Sequence, residues 1–204
     1  VRDAQGRLVT VPSQSPENAF VGGGVPVSLC VGVTMDFLLI REVLEHCLQA
    51  SELLRCDAKL RAGWEAILRD LPPYHIGKHG QLQEWLEDVE EAEPGHRHVS
   101  HLYGIFPGEA MTPERLPECY RAARVSLERR LVHGGGHTGW SRAWTAVLWA
   151  RFCEGSLAYA HLVHLVTDFA TDSLLDLHPP QIFQIEGNLG GTARTLDKSD
   201  GPIP

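Results

Sequence analysis

Two short strings hold a carboxylate in backbone suited to acid–base chemistry. In Pro12-Ser13-Gln14-Ser15-Pro16-Glu17-Asn18, two prolines stiffen a loop around the lone carboxylate Glu17. A general acid needs that stiffness, because it must stay within hydrogen-bond reach of the leaving oxygen. In Gln184-Ile185-Glu186-Gly187-Asn188-Leu189-Gly190-Gly191, a second carboxylate, Glu186, precedes residues that tolerate unusual backbone angles. Either string alone also reads as a turn with an exposed Glu. Taken together, they supply the two carboxylates that glycoside hydrolysis uses.

Two further strings could line a polar cleft. Gln83-Glu84-Trp85-Leu86-Glu87-Asp88 is followed by His96-Arg97-His98-Val99-Ser100-His101. Aromatic and polar groups in irregular backbone provide what a sugar site requires, a flat apolar face beside hydrogen-bonding groups. His96, His98 and His101 could instead bind zinc and leave one position open to water. No His-Glu-x-x-His helix or Cys pair accompanies them, so the reading adopted is no metal and no cofactor. Gly134 to Trp144 runs from a glycine-rich turn into a helix start, which resembles an anion cradle. It lacks the spacing and the Lys of a phosphate loop, so a nucleotide site is not expected. Trp144 fits a helix core, while Trp140 and Arg142 could sit at a cavity mouth.

These strings need a scaffold, and the periodicity supplies one. A long helical stretch is expected from about 26 to 54, with Asp36 near its early turn. Phe37, Ile40, Leu44 and Leu48 form one stripe, widened by Leu38, Leu39 and Val43, which predicts a buried helix. Further helices are expected at about 57–71, 117–131, 142–153 and 156–169, with Ser141 and Ser156 as N-caps. A short strand is expected at 8–11, and loop from 171 onward apart from a possible helix start at Thr192. The irregular stretch from 74 to about 113 is long enough to suggest function. Buried helices alternating with half-exposed ones match an α/α barrel, and ordinary helical bundles share that rhythm.

Bulk properties narrow the partners. The 204 residues carry a net charge of −8, so no basic stripe is present to engage a phosphate backbone. The longest apolar run, Val25 to Met35, is too short to span a bilayer. Five cysteines, an odd number without a Cys-x-x-Cys pair, support no disulfide framework and read mostly as buried helical thiols. The chain opens on polar residues without an initiator Met, which suggests a start inside a longer gene.

The strings SPEN, GKHGQLQEWLEDVEEAEPGHRHVSHLYGIFPG, SLERR, GGHTGWSRAW, DLHPP and QIEGNLGGTA occur in this order. Together they resemble the α-L-fucosidases of glycoside hydrolase family 95, over roughly residues 5–195. The resemblance implies an all-α fold, a partial (α/α)6 barrel with long irregular loops. Residues 1–204 would then be a fragment of one catalytic domain, lacking the N-terminal half of the barrel. It further implies inverting hydrolysis of terminal α-L-fucosyl groups, α-1,2-linked in particular, on a fucosylated oligosaccharide or glycan. No nucleic acid or membrane partner is expected, and the parent enzyme is expected to be extracellular or periplasmic. Glu17 falls on the family's general acid, and Glu186 on the carboxylate that assists water. Arg97, His98 and His178 fall on sugar-contacting positions, with Trp140 and Arg142 as further substrate-binding candidates.

The chain departs from the family pattern at several points. The family's water-orienting Asn pair lies upstream of SPEN and is not in this sequence. Glu186 stands where the family has Asp, and an added methylene can move a carboxylate by about 1 Å, a misplacement that can cost about 100-fold. Gln181-Ile182 are inserted after Pro180, and the residues from Arg194 to Pro204 leave the family's apolar helix. These departures keep open an inactive truncated remnant, or an α-L-galactosidase of the same family.

Overall fold

The computed structural model describes residues 1–173, 175–178 and 182–184. It is mainly helical, with five α-helices and two short hairpins among the described residues. Residues Val1–Glu93 and Ser100–Ala123 form one compact unit; Pro94–Val99 and the described residues from Arg124 onward form another.

In the first unit, β1 (Phe20–Gly22) pairs antiparallel with β2 (Val25–Val27). Gly23 and Gly24 between them both have positive φ, 61° and 84°, the geometry a two-residue hairpin turn demands. This hairpin occupies the start of the stretch expected to be helical. Helix α1 (Thr34–Leu54) therefore begins eight residues later than its apolar pattern suggests. It ends where Arg55 turns left-handed at φ 53° and Cys56 N–H closes on the Ser51 carbonyl at 3.1 Å. Helix α2 (Ala58–Asp70) stops before Pro72-Pro73.

The core of this unit gathers Val9, Phe37 and Leu71, with Ile40, Ile67 and Leu86 packed around them. The expectation of a buried α1 holds only on one side. Phe37 and Leu38 are buried, but Val43 is 58% exposed and Leu53 and Leu54 more so. Helix α2 and the short 3₁₀ turn Ser100–Gly104 pack against α1. The strand expected at 8–11 is reduced to a single bridge between Arg2 and Leu8.

Helix α3 (Pro117–Val132) gives its residues up to Ala123 to the first unit and the rest to the second. Its apolar residues Ala123 and Leu127 are buried. Arg130 is only 2% exposed, and its Nη1 donates to the Pro94 carbonyl at 3.0 Å.

In the second unit, α4 (Gly139–Arg151) is apolar nearly all round and correspondingly buried, from Ala143 through Trp149 on most of its surface. Its N-cap is Thr138, whose hydroxyl accepts from the Ser141 N–H at 3.2 Å, rather than Ser141 itself. Helix α5 (Gly155–Asp168) packs along α4 through Ala158 and Leu165 and leaves Tyr159 and Val166 exposed. The chain expected to be loop after 171 instead forms β3 (Asp176–His178) paired with β4 (Ile182–Gln184).

None of the five cysteines is fully buried. Cys30, Cys47 and Cys119 are half-buried and Cys56 and Cys153 exposed, which corrects the expectation of mostly buried thiols. No described helix is long and apolar enough to cross a membrane.

Candidate active site

The Ser15–Asn18 loop of the first unit carries Glu17 outward between two buried neighbours. Ser15 and Asn18 are 0% and 1% exposed, whereas Glu17 is exposed. Asn18 N–H closes the turn on the Ser15 carbonyl at 2.8 Å. Below the turn, the buried Glu84 carboxylate accepts from both flanks: Ser15 Oγ donates to Oε1 at 2.5 Å and Asn18 Nδ2 to Oε2 at 3.0 Å. From another side, Ser100 Oγ donates to the Pro16 carbonyl at 2.5 Å.

The approach to the loop is anchored as well. Thr10 and Ser13 hydroxyls donate to Asp36 Oδ2 at 2.5 and 2.6 Å, in the first turn of α1. Ser13 and Cys30 exchange backbone hydrogen bonds at 2.9 and 2.8 Å. Burial, then the charges of Asp36 and Glu84, push the Cys30 thiol up to about 11, so this half-buried sulfur stays protonated.

Trp85, read as part of a sugar-facing surface, is instead a core residue. It is 5% exposed and meets Phe20 edge to face, with ring centroids 5.6 Å apart.

Arg97, His98, Trp140, Arg142 and His178 all belong to the second unit. The segment bearing Arg97 and His98 is pinned at both ends. Arg130 holds the Pro94 carbonyl, and Ser141 Oγ donates to the Arg97 carbonyl at 2.5 Å. Within it, the His98 N–H donates to His96 Nδ1 at 3.1 Å, and the two imidazoles stand edge to face at 5.3 Å. Arg97 and His98 are half-buried, as is His178 on β3. Trp140 is 43% exposed at the start of α4.

Arg142 is placed differently from Trp140. Its Nη1 meets His161 Nδ1 at 2.8 Å, and its guanidinium lies 5.7 Å from the Phe169 ring centroid. Glu186 lies outside the described residues. Among the described residues, no group of three His, Cys, Asp or Glu side chains is arranged to hold a metal ion.

The Arg142–His161 contact predicts a pH dependence. Burial first, then the Arg142 and His164 charges, lower the His161 pKa from 6.5 to about 4. The unfolded chain therefore binds a proton near pH 6.5 that the folded chain refuses until about pH 4. Stability falls as pH drops through that window. Thermal melts of His161→Gln between pH 7 and pH 4 are expected to show a smaller loss than the parent chain. An unchanged slope would remove His161 as the cause.

Three residues outside the sequence-based set of site candidates have structural roles, Glu84 in the first unit and Ser141 and Asp176 in the second. Glu84 sits between the core residues Leu82 and Trp85, and a carboxylate so placed in a non-helical string is the signal that could have exposed it. Asp176 on β3 is 0% exposed and approaches the N-terminus of α4, where a Cβ built on Gly139 would lie 2.5 Å from its Oδ2. The positive end of a helix favours a carboxylate there.

Comparison with known proteins agrees with the family resemblance. The glycosyl hydrolase family 95 catalytic domain matches residues 1–197. The chain is 37% identical over 210 aligned residues to Alpha-L-fucosidase 2 of Arabidopsis thaliana, covering 97% of this chain and 24% of that protein. It is 30% identical over 195 residues to the Probable alpha-fucosidase A of Aspergillus niger, covering 91% of this chain and 24% of that protein. The chain thus spans about a quarter of the length of these curated relatives. With its whole described structure inside the matched range, the chain belongs to the glycosyl hydrolase family 95 catalytic domain family.

Proposed function

We propose that this chain is part of the catalytic domain of an α-L-fucosidase that releases terminal α-1,2-linked fucose with inversion. The observation that carries the reading is Glu17: an exposed carboxyl on a loop whose flanking side chains are buried and hydrogen-bonded, within a family 95 domain. A rigid, solvent-reaching carboxyl is what a general acid requires. The fucosidase names of the relatives support the substrate class.

In the proposed reaction, Glu17 gives its proton to the glycosidic oxygen as the bond from that oxygen to the anomeric carbon breaks. Water attacks the opposite face, and its proton passes to the carboxylate of Glu186. Inversion requires the two carboxyl groups to stand roughly 6.5–9.5 Å apart, leaving room for the water. Arg97, His98 and His178 would contact the sugar, with Trp140 and Arg142 nearby. We extend the reading to an (α/α)6 barrel, supported by the largely buried α4 beside the half-exposed α5 and by the apolar face of α1.

Proton NMR of an active protein carrying this sequence, turning over 2′-fucosyllactose, tests the reading. The first product is expected to be β-L-fucose, followed by slower mutarotation to the α form. Initial release of α-L-fucose would exclude inversion, and absence of turnover would exclude this substrate.

A further inference from the structure

We propose that Glu84 is the positioning residue of the acid loop, fixing the Glu17 carboxyl in place through Ser15 and Asn18; this rests on the reading of Glu17 as the general acid. The two oxygens of one carboxylate hold the side chains at positions −2 and +1 from Glu17. Glu84 is buried, so in this proposal its effect on the reaction passes through the loop.

The geometry is costly enough to demand a purpose. The Glu84 side chain is only 3% exposed, and removing a carboxylate from water is unfavourable unless donors replace the solvent. Here two donors come from the acid loop, and the His101 Nδ1 lies 3.7 Å from Oε2. Charge-assisted hydrogen bonds of this kind are about twice as strong as neutral ones.

The backbone of Glu84 is equally fixed. Thr34 N–H donates to its carbonyl at 3.0 Å, Thr34 Oγ1 donates to the Gln83 carbonyl at 2.6 Å, and Val33 bridges Trp85. Glu84 thus stands on the first turn of α1 and reaches up to both flanks of Glu17. A support built on a helix end and a bridged strand holds its cargo more tightly than loop contacts alone.

A positioning role for the acid makes a prediction that a merely structural role does not. Leaving groups differ in their need for a proton. The sugar alkoxide released from 2′-fucosyllactose cannot depart without one, whereas 2-chloro-4-nitrophenolate departs readily. Displacing the Glu17 carboxyl by about 1 Å can therefore cost about 10- to 100-fold on the first substrate. It should change the second only a few-fold.

The experiment compares kcat and KM for Glu84→Ala and Glu84→Gln on 2′-fucosyllactose and on 2-chloro-4-nitrophenyl α-L-fucoside, with Glu17→Gln alongside. Glu84→Ala is expected to lose kcat selectively on fucosyllactose, with KM little changed. Glu84→Gln should retain more activity, because its amide preserves the shape and one acceptor. Equal losses on both substrates, or no loss on either, would overturn the proposal. If Glu17→Gln itself lacks the selective loss, the acid assignment fails, independently of Glu84. Hydrogen–deuterium exchange supplies an activity-independent check. In Glu84→Ala, peptides covering residues 13–19 should lose protection while α4 keeps its own; unchanged exchange at 13–19 would also overturn the proposal.

Discussion

Replacing Glu17 with Gln is expected to lower kcat on α-L-fucosyl oligosaccharides by about 10²–10⁴-fold, the usual worth of a positioned proton donor. The substitution is close to isosteric, and the side chain it alters is exposed. The loop is held by Ser15, Asn18 and the Pro16 carbonyl, so the change leaves those hydrogen bonds in place. Exposed substitutions of this type usually stay within about 0.5 kcal/mol of the parent stability. The melting temperature should therefore hold while turnover falls. A loss of turnover accompanied by an equal loss of folded protein would point to structure and not to proton transfer. Steady-state kinetics beside a thermal melt separate the two outcomes.

Replacing Gly95 with Ala is expected to destabilise the second unit by about 3 kcal/mol, at the upper end of ordinary overpacking. A Cβ at this position would lie 2.0 Å from the His133 carbonyl oxygen and 2.6 Å from its carbon. Both obstacles are backbone, so no rotamer change relieves the clash. The neighbouring chain has little freedom to yield, because Arg130 holds Pro94 and Ser141 holds Arg97. For a chain of this size each kcal/mol corresponds to roughly 2–4 °C in Tm. The predicted drop is several degrees in calorimetry, and a Tm within one degree of the parent would contradict it. Because the same segment presents Arg97 and His98, weaker sugar binding should accompany the loss of stability.

Much of the helical scaffold is legible in the sequence. The apolar repeat and the Pro72-Pro73 stop define α2, and the patterns of α3 and α5 fall within a residue or two of the observed bounds. The start of helix α1 is less legible, because the apolar run from Val25 to Met35 extends across β2 into the helix. The deciding residues are Gly23 and Gly24, whose positive φ angles turn the chain into β2 before the helix can start. At α4, Thr138 and Ser141 are both competent caps, and only the structure shows that Ser141 uses its hydroxyl on Arg97 instead. Three-residue strands such as β3 and β4 are too short to show a period of two.

The candidate site divides along similar lines. Glu17 is recognisable because prolines and small polar residues surround it, and the structure places it on a braced, exposed turn. Arg130 shows the opposite case: its local sequence does not point to its partner, the Pro94 carbonyl, 36 residues away. Arg142 likewise engages His161 and Phe169, contacts that depend on how α5 lies against α4. Local patterns report which residues are polar. They do not report which distant acceptor each one reaches.

The most direct test is the pH dependence of kcat/KM on a fucoside with an unactivated aglycone, compared between the parent and Glu17→Gln. An enzyme that depends on a general acid works only while that acid carries its proton, so the parent is expected to show a basic limb. The variant has no proton there to lose, so its residual activity should lack that limb. A basic limb that persists unchanged in Glu17→Gln would assign the proton to another group and contradict the account.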